Sequence, residues 1–367
     1  MSAPSRVGLV GCGKISETYL RASYPELAYV ACADLDESRA AATAEAHGLR
    51  PSTVEELLGS TDVDIVCNLT VPAAHLEISR RAIEHGKHVY VEKPLALALD
   101  AAADMLDRAD AAGRLVGCAP DTFLGAGLQT CRRLIDAGAI GTPVAAMAHM
   151  VNHGHEHWHP DPAFYYARGG GPLLDMGPYY LTALVTLLGP IARATASSRG
   201  AGANRAVTTG PRAGEVLRVE VPTHVAGVLD FTSGVVASIV MSFDVFASGA
   251  PRLEIHGSEG SLSLPDPNTF GGPVRLFRAG ASDWEDVSTD RFALHQRGIG
   301  LADLAGATRG EGENRASGRL ALHVLDAMLA LERSATSGTH VELGTSVGRP
   351  REMRECAGST ADPATER

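Results

Sequence analysis

Over its first third the chain alternates short, continuously apolar runs with longer amphipathic ones. Residues 6–10, 28–33, 64–69, 88–92 and 115–118 are apolar throughout or nearly so, as strands buried on both faces are. Between them, residues 17–23, 37–47, 73–85 and 101–112 carry helix-forming composition and polar faces. Gly86 and Gly113 follow the last two, where a helix commonly closes on a glycine. Strands alternating with helices predict a parallel, doubly wound sheet, an α/β fold of the Rossmann kind.

The pattern then changes. Residues 128–137 read as an amphipathic helix ending at Gly138, and residues 143–151 as a strand. From residue 192 onward, apolar or alternating runs at 225–231, 235–243, 252–255 and 274–277 are separated by turns such as Ser233-Gly234 and Ser258-Glu259-Gly260. Successive strands joined by short turns predict an α+β unit with a large, mostly antiparallel open sheet. Residues 320–331 predict a last helix. Residues 200–214, rich in Gly, Arg and Thr, predict an exposed loop. The expected organisation is a nucleotide-binding domain over 1–121, a substrate and oligomerisation domain over 122–345, and a flexible polar tail over 346–367.

The chain has 367 residues, 45% hydrophobic and 20% charged, ordinary for a globular protein. Its net charge is −11 and no Lys/Arg run reaches five, which argues against wholesale binding to nucleic acid or anionic membrane. No stretch is apolar for long enough to span a bilayer, and the first residues lead straight into a strand pattern without the apolar core of a signal peptide. The six cysteines show no Cys-x-x-Cys spacing. Cys12, Cys32, Cys67 and Cys118 fall in or beside apolar strands, so they read as reduced core residues of a cytoplasmic protein, with no metal among them.

The candidate chemistry sits at strand ends. Gly11-Cys12-Gly13-Lys14-Ile15-Ser16 follows the first strand and opens the first helix. That context suits a glycine turn that admits a pyrophosphate to a helix N-terminus. Asp34 ends the second strand, where a carboxylate would take the ribose hydroxyls and repel a 2′-phosphate, favouring NAD over NADP; Arg39 keeps NADP open, and Asp34 could alternatively cap the next helix. The turns Thr70-Val71-Pro72 and Glu92-Lys93-Pro94 leave later strands on the same edge. Lys93 could be a proton-transfer group with a lowered pKa, or half of a solvated Glu-Lys pair. Farther on, Gly169-Gly170-Gly171 lets the backbone pass close to a ligand, and Asp175 and Tyr179, four apart, would share a helix face. His153, His155, His157 and His159 alternate, which on an extended strand would put them on one side. A loop touching substrate through His157, Trp158 and His159 is preferred there to a zinc site.

Three segments together resemble one family. They are Val7-Gly8-Leu9-Val10-Gly11-Cys12-Gly13, Asn68-Leu69-Thr70-Val71-Pro72 with His75, and Glu92-Lys93-Pro94-Leu95-Ala96. The chain resembles the glucose–fructose oxidoreductase / inositol dehydrogenase (Gfo/Idh/MocA) superfamily from Arg6 to about Leu343. The resemblance implies an NAD-dependent dehydrogenase acting on a sugar, cyclitol or glycoside, assembled as a homodimer or homotetramer. It implies that Lys93 lies beside the nicotinamide and the reacting hydroxyl, completed by Asp175 and Tyr179. Tyr179 departs from the commoner histidine and puts in doubt any mechanism needing an imidazole base there. Gly11, Gly13, Lys14, Ile15, Asp34, Thr70, Pro72, His75, Glu92 and Lys93 are the expected cofactor residues, and Asp121 is a further candidate to meet substrate. Two alternatives remain: a glycosidase that oxidises and re-reduces its substrate while recycling NAD, and a non-catalytic nucleotide sensor.

Overall fold

The computed structural model describes residues 3–200 and 204–354 of the chain. Six parallel strands form the first sheet: β1 (Ser5–Val10), β2 (Leu27–Ala33), β3 (Arg50–Pro51), β4 (Ile65–Asn68), β5 (His88–Val91) and β6 (Val116–Cys118). Their order is β3-β2-β1-β4-β5-β6, the doubly wound arrangement whose direction reverses between β1 and β4. Both faces are covered by helices, which is why β1, β4 and β5 read as unbroken apolar runs: Val7, Leu9, Ile65, Val66, Val89 and Val91 are fully buried. The helices close as their sequences imply. Gly48, Gly86 and Gly113 take left-handed φ values of 67°, 73° and 65°, which only glycine adopts at little cost. The helix Glu37–His47 is capped by Asp36, whose side chain accepts from the Ser38 and Arg39 N–H groups. That leaves Asp34 free of the capping role.

The second sheet has nine strands. Its pairs are antiparallel except one: Pro143–Val151 runs parallel to Val236–Ser242. One face is packed by the helices Gly171–Leu188 and Gly318–Ser337, and alternation along the strands turns Ala146, Ala148, Met150, Ala237, Ile239 and Met241 into that core. The opposite face, including Met147, Val228 and Val236, is left exposed within this single chain.

Two expectations need correcting, and a third, the exposed 200–214 loop, holds for most of its described residues. The chain does not leave the nucleotide unit for good at residue 121: the helix Ile299–Thr308 returns to pack on β5 and β6. Apart from Asp303, which pairs with Arg315, this helix is nearly all apolar or small, so no amphipathic period reveals it in the sequence. The tail is not free at its start. The Arg349 guanidinium donates to Asp136, Pro350 O accepts from Arg132 at 2.9 Å, and Met353 N donates to Gln129 Oε1 at 2.7 Å; residues 355–367 lie outside the described part. Within the 200–214 loop, Arg205 is drawn inward by Glu156 (2.8 Å) and Asp244, while residues 201–203 are outside the described part.

The seam between the last helix and the second sheet carries a pH dependence. His323 is fully buried; its Nε2 accepts the Ile191 N–H at 2.9 Å and its Nδ1 faces Thr345 Oγ1 at 2.9 Å. A backbone N–H can only donate, so Nε2 must be unprotonated. Burial lowers the His323 pKa below its ordinary 6.5, against the opposing pull of Asp326. A depressed histidine pKa means its contribution is whole above about pH 6.5 and falls away as the pH drops below that. His323→Leu should cost about 1–3 kcal/mol at pH 7.5, the range for stranding a buried hydrogen-bonding group. It should also flatten the acid side of the stability curve, as measured by urea unfolding at pH 7.5 and 5.5. An unchanged acid slope would remove His323 from that role.

Candidate active site

The carboxyl ends of β1, β2, β4 and β5 meet at one edge of the parallel sheet. Gly11 leaves β1 at φ 99°, and a Cβ there would lie 2.7 Å from the Leu69 carbonyl. Only glycine lets the turn after β1 nest against the turn after β4. Gly13 is the N-cap of the helix Lys14–Arg21, and the space its Cβ would enter is open to 4 Å. A helix N-terminus behind open space suits a pyrophosphate. Asp34 reaches back so that its carboxylate accepts the Cys12 N–H at 2.8 Å and the Asp36 N–H at 2.9 Å, with Arg39 at 3.5 Å. Lys14 is exposed and Ile15 half-buried at the start of the helix.

The β4 turn is held from inside. Asn68 donates to His75 O and Ser79 Oγ and accepts from Thr70 N and Oγ1. His75, buried, places its ring nitrogens 2.7 Å from Pro94 O and 2.9 Å from Thr70 O. His75 therefore lies between the Thr70-Val71-Pro72 and Lys93-Pro94 turns, its single N–H donating to one of the two carbonyls, and is itself sealed from solvent; burial lowers its pKa. Glu92 is likewise buried: it accepts from Tyr19 Oη at 2.8 Å and from the Lys93 N–H at 3.0 Å.

Lys93 is brought to Asp175 across the two sheets. Its Nζ donates to Asp175 Oδ1 and to the Asp175 backbone carbonyl, both at 2.7 Å. The side chains are 17% and 18% exposed, so the pair is largely but not wholly dry. Asp175 sits in the first turns of Gly171–Leu188, and Tyr179 follows one turn later with its ring centroid 5.4 Å from Nζ. Burial alone would lower the Lys93 pKa, but the Asp175 carboxylate, through its charge and its hydrogen bond, together with Glu92 outweighs it and holds the ammonium above its ordinary range. This reverses the lowering expected from sequence, because the carboxylate stands in direct contact. Burial works against the Asp175 carboxylate, yet Lys93 and His155 carry its pKa down to about 2. Burial raises the Tyr179 phenol.

The glycine run packs closely against protein. A Cβ on Gly170 would run into the Phe164 carbonyl, and one on Gly171, which has φ 83°, would lie 3.1 Å from Pro222 O. These contacts seat the 3-10 turn Ala163–Tyr165 on the helix that carries Asp175. The histidine segment is not a strand. Trp158 N and His159 N both donate to His155 O, a tight turn that sends the four imidazoles apart. His153 stacks on Phe246 at 3.4 Å, His155 points inward, His157 is exposed, and His159 packs edge-on to Phe164 and Tyr165. Trp158 is 52% exposed beside them. Among the described residues no group of three His, Cys, Asp or Glu is placed to hold a metal ion.

Asp121 does not face this space. It is 0% exposed, and its Oδ2 accepts the Gly298 and Gly300 N–H groups at 2.8 and 3.1 Å. Two site neighbours were missed from sequence. Arg297, held by that turn, lies 3.9 Å from Glu92 Oε1 and 5.9 Å from the Tyr179 ring, on a segment with no periodicity to flag it. His155 was passed over for His157 and His159, since alternation does not say which histidine turns inward.

Two family models match this chain: an oxidoreductase family with an NAD-binding Rossmann fold over residues 5–119, and the GFO/IDH/MocA C-terminal domain over residues 128–263. A dTDP-3,4-didehydro-2,6-dideoxy-alpha-D-glucose 3-reductase of Streptomyces violaceoruber is 32% identical over 71% of this chain and 72% of its own length. The chain belongs to the GFO/IDH/MocA oxidoreductase family. A second relative, a 1,5-anhydro-D-fructose reductase of Ensifer adhaerens, is 29% identical over 93% of this chain and 99% of its own. Levoglucosan dehydrogenase, solved with NADH and L-sorbose, superposes with a TM-score of 0.80 over 94% of this chain and all of its own at 20% identity, a likeness of fold. The protein is thus an NAD-binding oxidoreductase, and the open cradle at Gly13 with Asp34 at the end of β2 fits that cofactor.

The glycine turn generates a test. Gly11→Ala must displace the Leu69–Thr70 backbone and should weaken NADH binding by about tenfold or more, a loss of some 1.4 kcal/mol, measured by NADH fluorescence. Asp34→Ser should raise NADPH affinity relative to NADH, since a carboxylate that would repel the 2′-phosphate is gone and Arg39 remains. Unchanged selectivity would place the ribose elsewhere.

Proposed function

We propose that this protein interconverts a secondary hydroxyl and a ketone on a sugar, cyclitol or glycoside, with Lys93, Asp175 and Tyr179 handling the proton. The observation that carries this reading is the Lys93–Asp175 contact at 2.7 Å with Tyr179 one helical turn on, at the sheet edge where the glycine turn also ends. Gly11, Gly13, Lys14, Ile15, Asp34, Thr70, Pro72, His75 and Glu92 form or brace the cofactor cradle. NAD supplies the hydride acceptor when bound. Relatives named as acting on anhydrofructose and on a dTDP-sugar support a carbohydrate-like substrate. So do the half-exposed Trp158 and the adjacent His157 and His159, which offer a stacking face and polar edges.

The chemistry follows from the charges. Ammonium Lys93 donates to an oxygen at the reacting carbon and, as an acid, delivers a proton to the developing alkoxide when a ketone is reduced. In oxidation it must first be neutral to accept the hydroxyl proton. Asp175 orients it through Oδ1, and Tyr179 offers its phenol to the same oxygen. The first experiment is a panel of sugars, cyclitols and aryl glycosides with NAD, followed at 340 nm with aglycone release in parallel. Net NADH formation supports this reading. Aglycone release without NADH accumulation would instead mean redox recycling during glycoside cleavage, and tight NADH binding with silence on both would favour a sensor.

Two further expectations belong to the same reading. The exposed apolar face around Met147, Val228 and Val236 supports a homodimer or homotetramer, and the unpaired buried cysteines support a reducing, cytoplasmic setting. Sedimentation of a monomer at micromolar concentration would count against the assembly.

Because Lys93 is held above its ordinary pKa, oxidation should accelerate as the pH rises from 6 to 10 while ketone reduction is sustained at neutral pH; a flat oxidation profile would contradict the assignment. Lys93→Met should lower turnover by about 100-fold or more, within the span of one general acid–base group, while NADH still binds. A near-normal rate would remove Lys93 from the reaction.

A further inference from the structure

Asp175 has two carboxylate oxygens, and Lys93 engages only Oδ1. The other, Oδ2, faces His155 Nε2 at 3.7 Å. That separation is longer than a formed hydrogen bond, yet within ion-pair reach. His155 is 7% exposed, and among the described residues neither of its ring nitrogens has a hydrogen-bond partner. A buried imidazole with both nitrogens unsatisfied is costly, and in catalytic sites such bonds tighten only when the reacting complex forms.

The surroundings aim this ring rather than merely tolerate it. Tyr165 lies 3.9 Å away centroid to centroid, with Phe243 at 4.6 Å and Trp158 at 5.2 Å, so three aromatic rings fix its plane. The His155 backbone N–H donates to Tyr166 Oη at 3.1 Å. Tyr166 Oη in turn donates to Glu156, and Glu156 is paired with Arg205 at 2.8 Å. Arg205 also holds Asp244, which accepts from Thr223 Oγ1 at 2.8 Å. A largely buried network that reaches the surface at Asp244 thus locks Glu156 and the His155 backbone. It leaves the His155 ring without a hydrogen-bond partner among the described residues, its Nε2 turned toward Asp175.

We propose that His155 is a positioning residue: its Nε2–H donates to Asp175 Oδ2 in the reacting complex, sharing the carboxylate with Lys93. The trio Lys93, Asp175 and Tyr179 contains no imidazole, and His155 supplies one from a different element, the turn after Pro143–Val151. A carboxylate held on both oxygens cannot swing away from the lysine, and a second donor weakens its grip on the ammonium. Lys93 is then oriented but not immobilised. This inference rests on the proposed roles of Lys93 and Asp175.

The test uses two substitutions and a spectroscopic readout. His155→Phe keeps a ring among Tyr165, Phe243 and Trp158 but removes both nitrogens; His155→Gln retains an amide donor near the Nε2 position. With a substrate identified in the panel, His155→Phe should lower kcat by about 10- to 100-fold, the span of one hydrogen bond to a charged group. KM and NADH affinity should move less than threefold, and His155→Gln should recover most of the loss. Equal kcat in wild type and His155→Phe, or no rescue by Gln, would overturn the proposal. The second readout needs no turnover. The His155 Nε2 resonance in the NADH-bound protein should shift on Asp175→Asn, and should shift the opposite way on Lys93→Met, which leaves the carboxylate to the imidazole alone. A resonance indifferent to both changes would overturn the coupling, whereas silence across the panel with both shifts present would fault only the proposed reaction.

Discussion

The contact between Lys93 and Asp175 is the constraint to which the rest of the architecture answers. Two opposite charges, each more than four-fifths buried, meet at 2.7 Å, one from a strand exit of the parallel sheet and one from a helix packed on the second sheet. Removing water from either alone would cost several kcal/mol, so each is stable in place only because the other is there. Lys93 is delivered by the exit of β5. Asp175 is delivered by a helix whose N-terminus is seated against Phe164, Tyr165 and Pro222 through glycines too small to be replaced. The parallel sheet and the nine-stranded sheet must therefore hold their relative position closely for the pair to form.

The supporting shell follows the same logic. Glu92 takes hydrogen bonds from Tyr19 and from the Lys93 N–H, so the residue before the lysine is fixed by the first helix. Arg297 brings a second cation to the Tyr179 ring, from the side of the turn that Asp121 holds. His75 lies between the β4 and β5 turns, facing a carbonyl of each. The strand-end turns and the Lys93–Asp175 pair are thereby one connected structure with shared braces. The helix Gly318–Ser337 spans the rest: it begins beside β6 and ends beneath the second sheet, where Ser334 Oγ accepts the Ala196 N–H at 2.9 Å.

Much of this was legible from residue order alone because it is local. Periodicity and length separate the buried strands β1, β4 and β5 from the helices between them, and glycines mark the helix ends. The glycine turn, Asp34 and the strand-exit lysine lie within the first hundred residues, where spacing along the chain maps onto spacing along one sheet edge. Asp175 and Tyr179 share a helix face because four residues is one turn. These inferences need only the geometry of single elements, and the family match extends them to an NAD-binding oxidoreductase.

What the chain's order could not decide is what non-local packing decides. The sign of the Lys93 shift depends on whether a carboxylate 82 residues away touches it, and contact reverses the effect of burial. The histidine run reads as an alternating strand, yet a turn closed by the His155 carbonyl sends His155 inward and His157 outward. Asp121 carries a charge that looked available, and only the fold shows it consumed by the Gly298–Gly300 backbone. The helix Ile299–Thr308 has no polar face beyond Asp303, so its location had to come from what surrounds it. Local pattern thus determined the elements and the outline of the cofactor cradle. Tertiary structure alone decided which charged and polar side chains face one another, because those choices rest on burial and on contacts between distant parts of the chain.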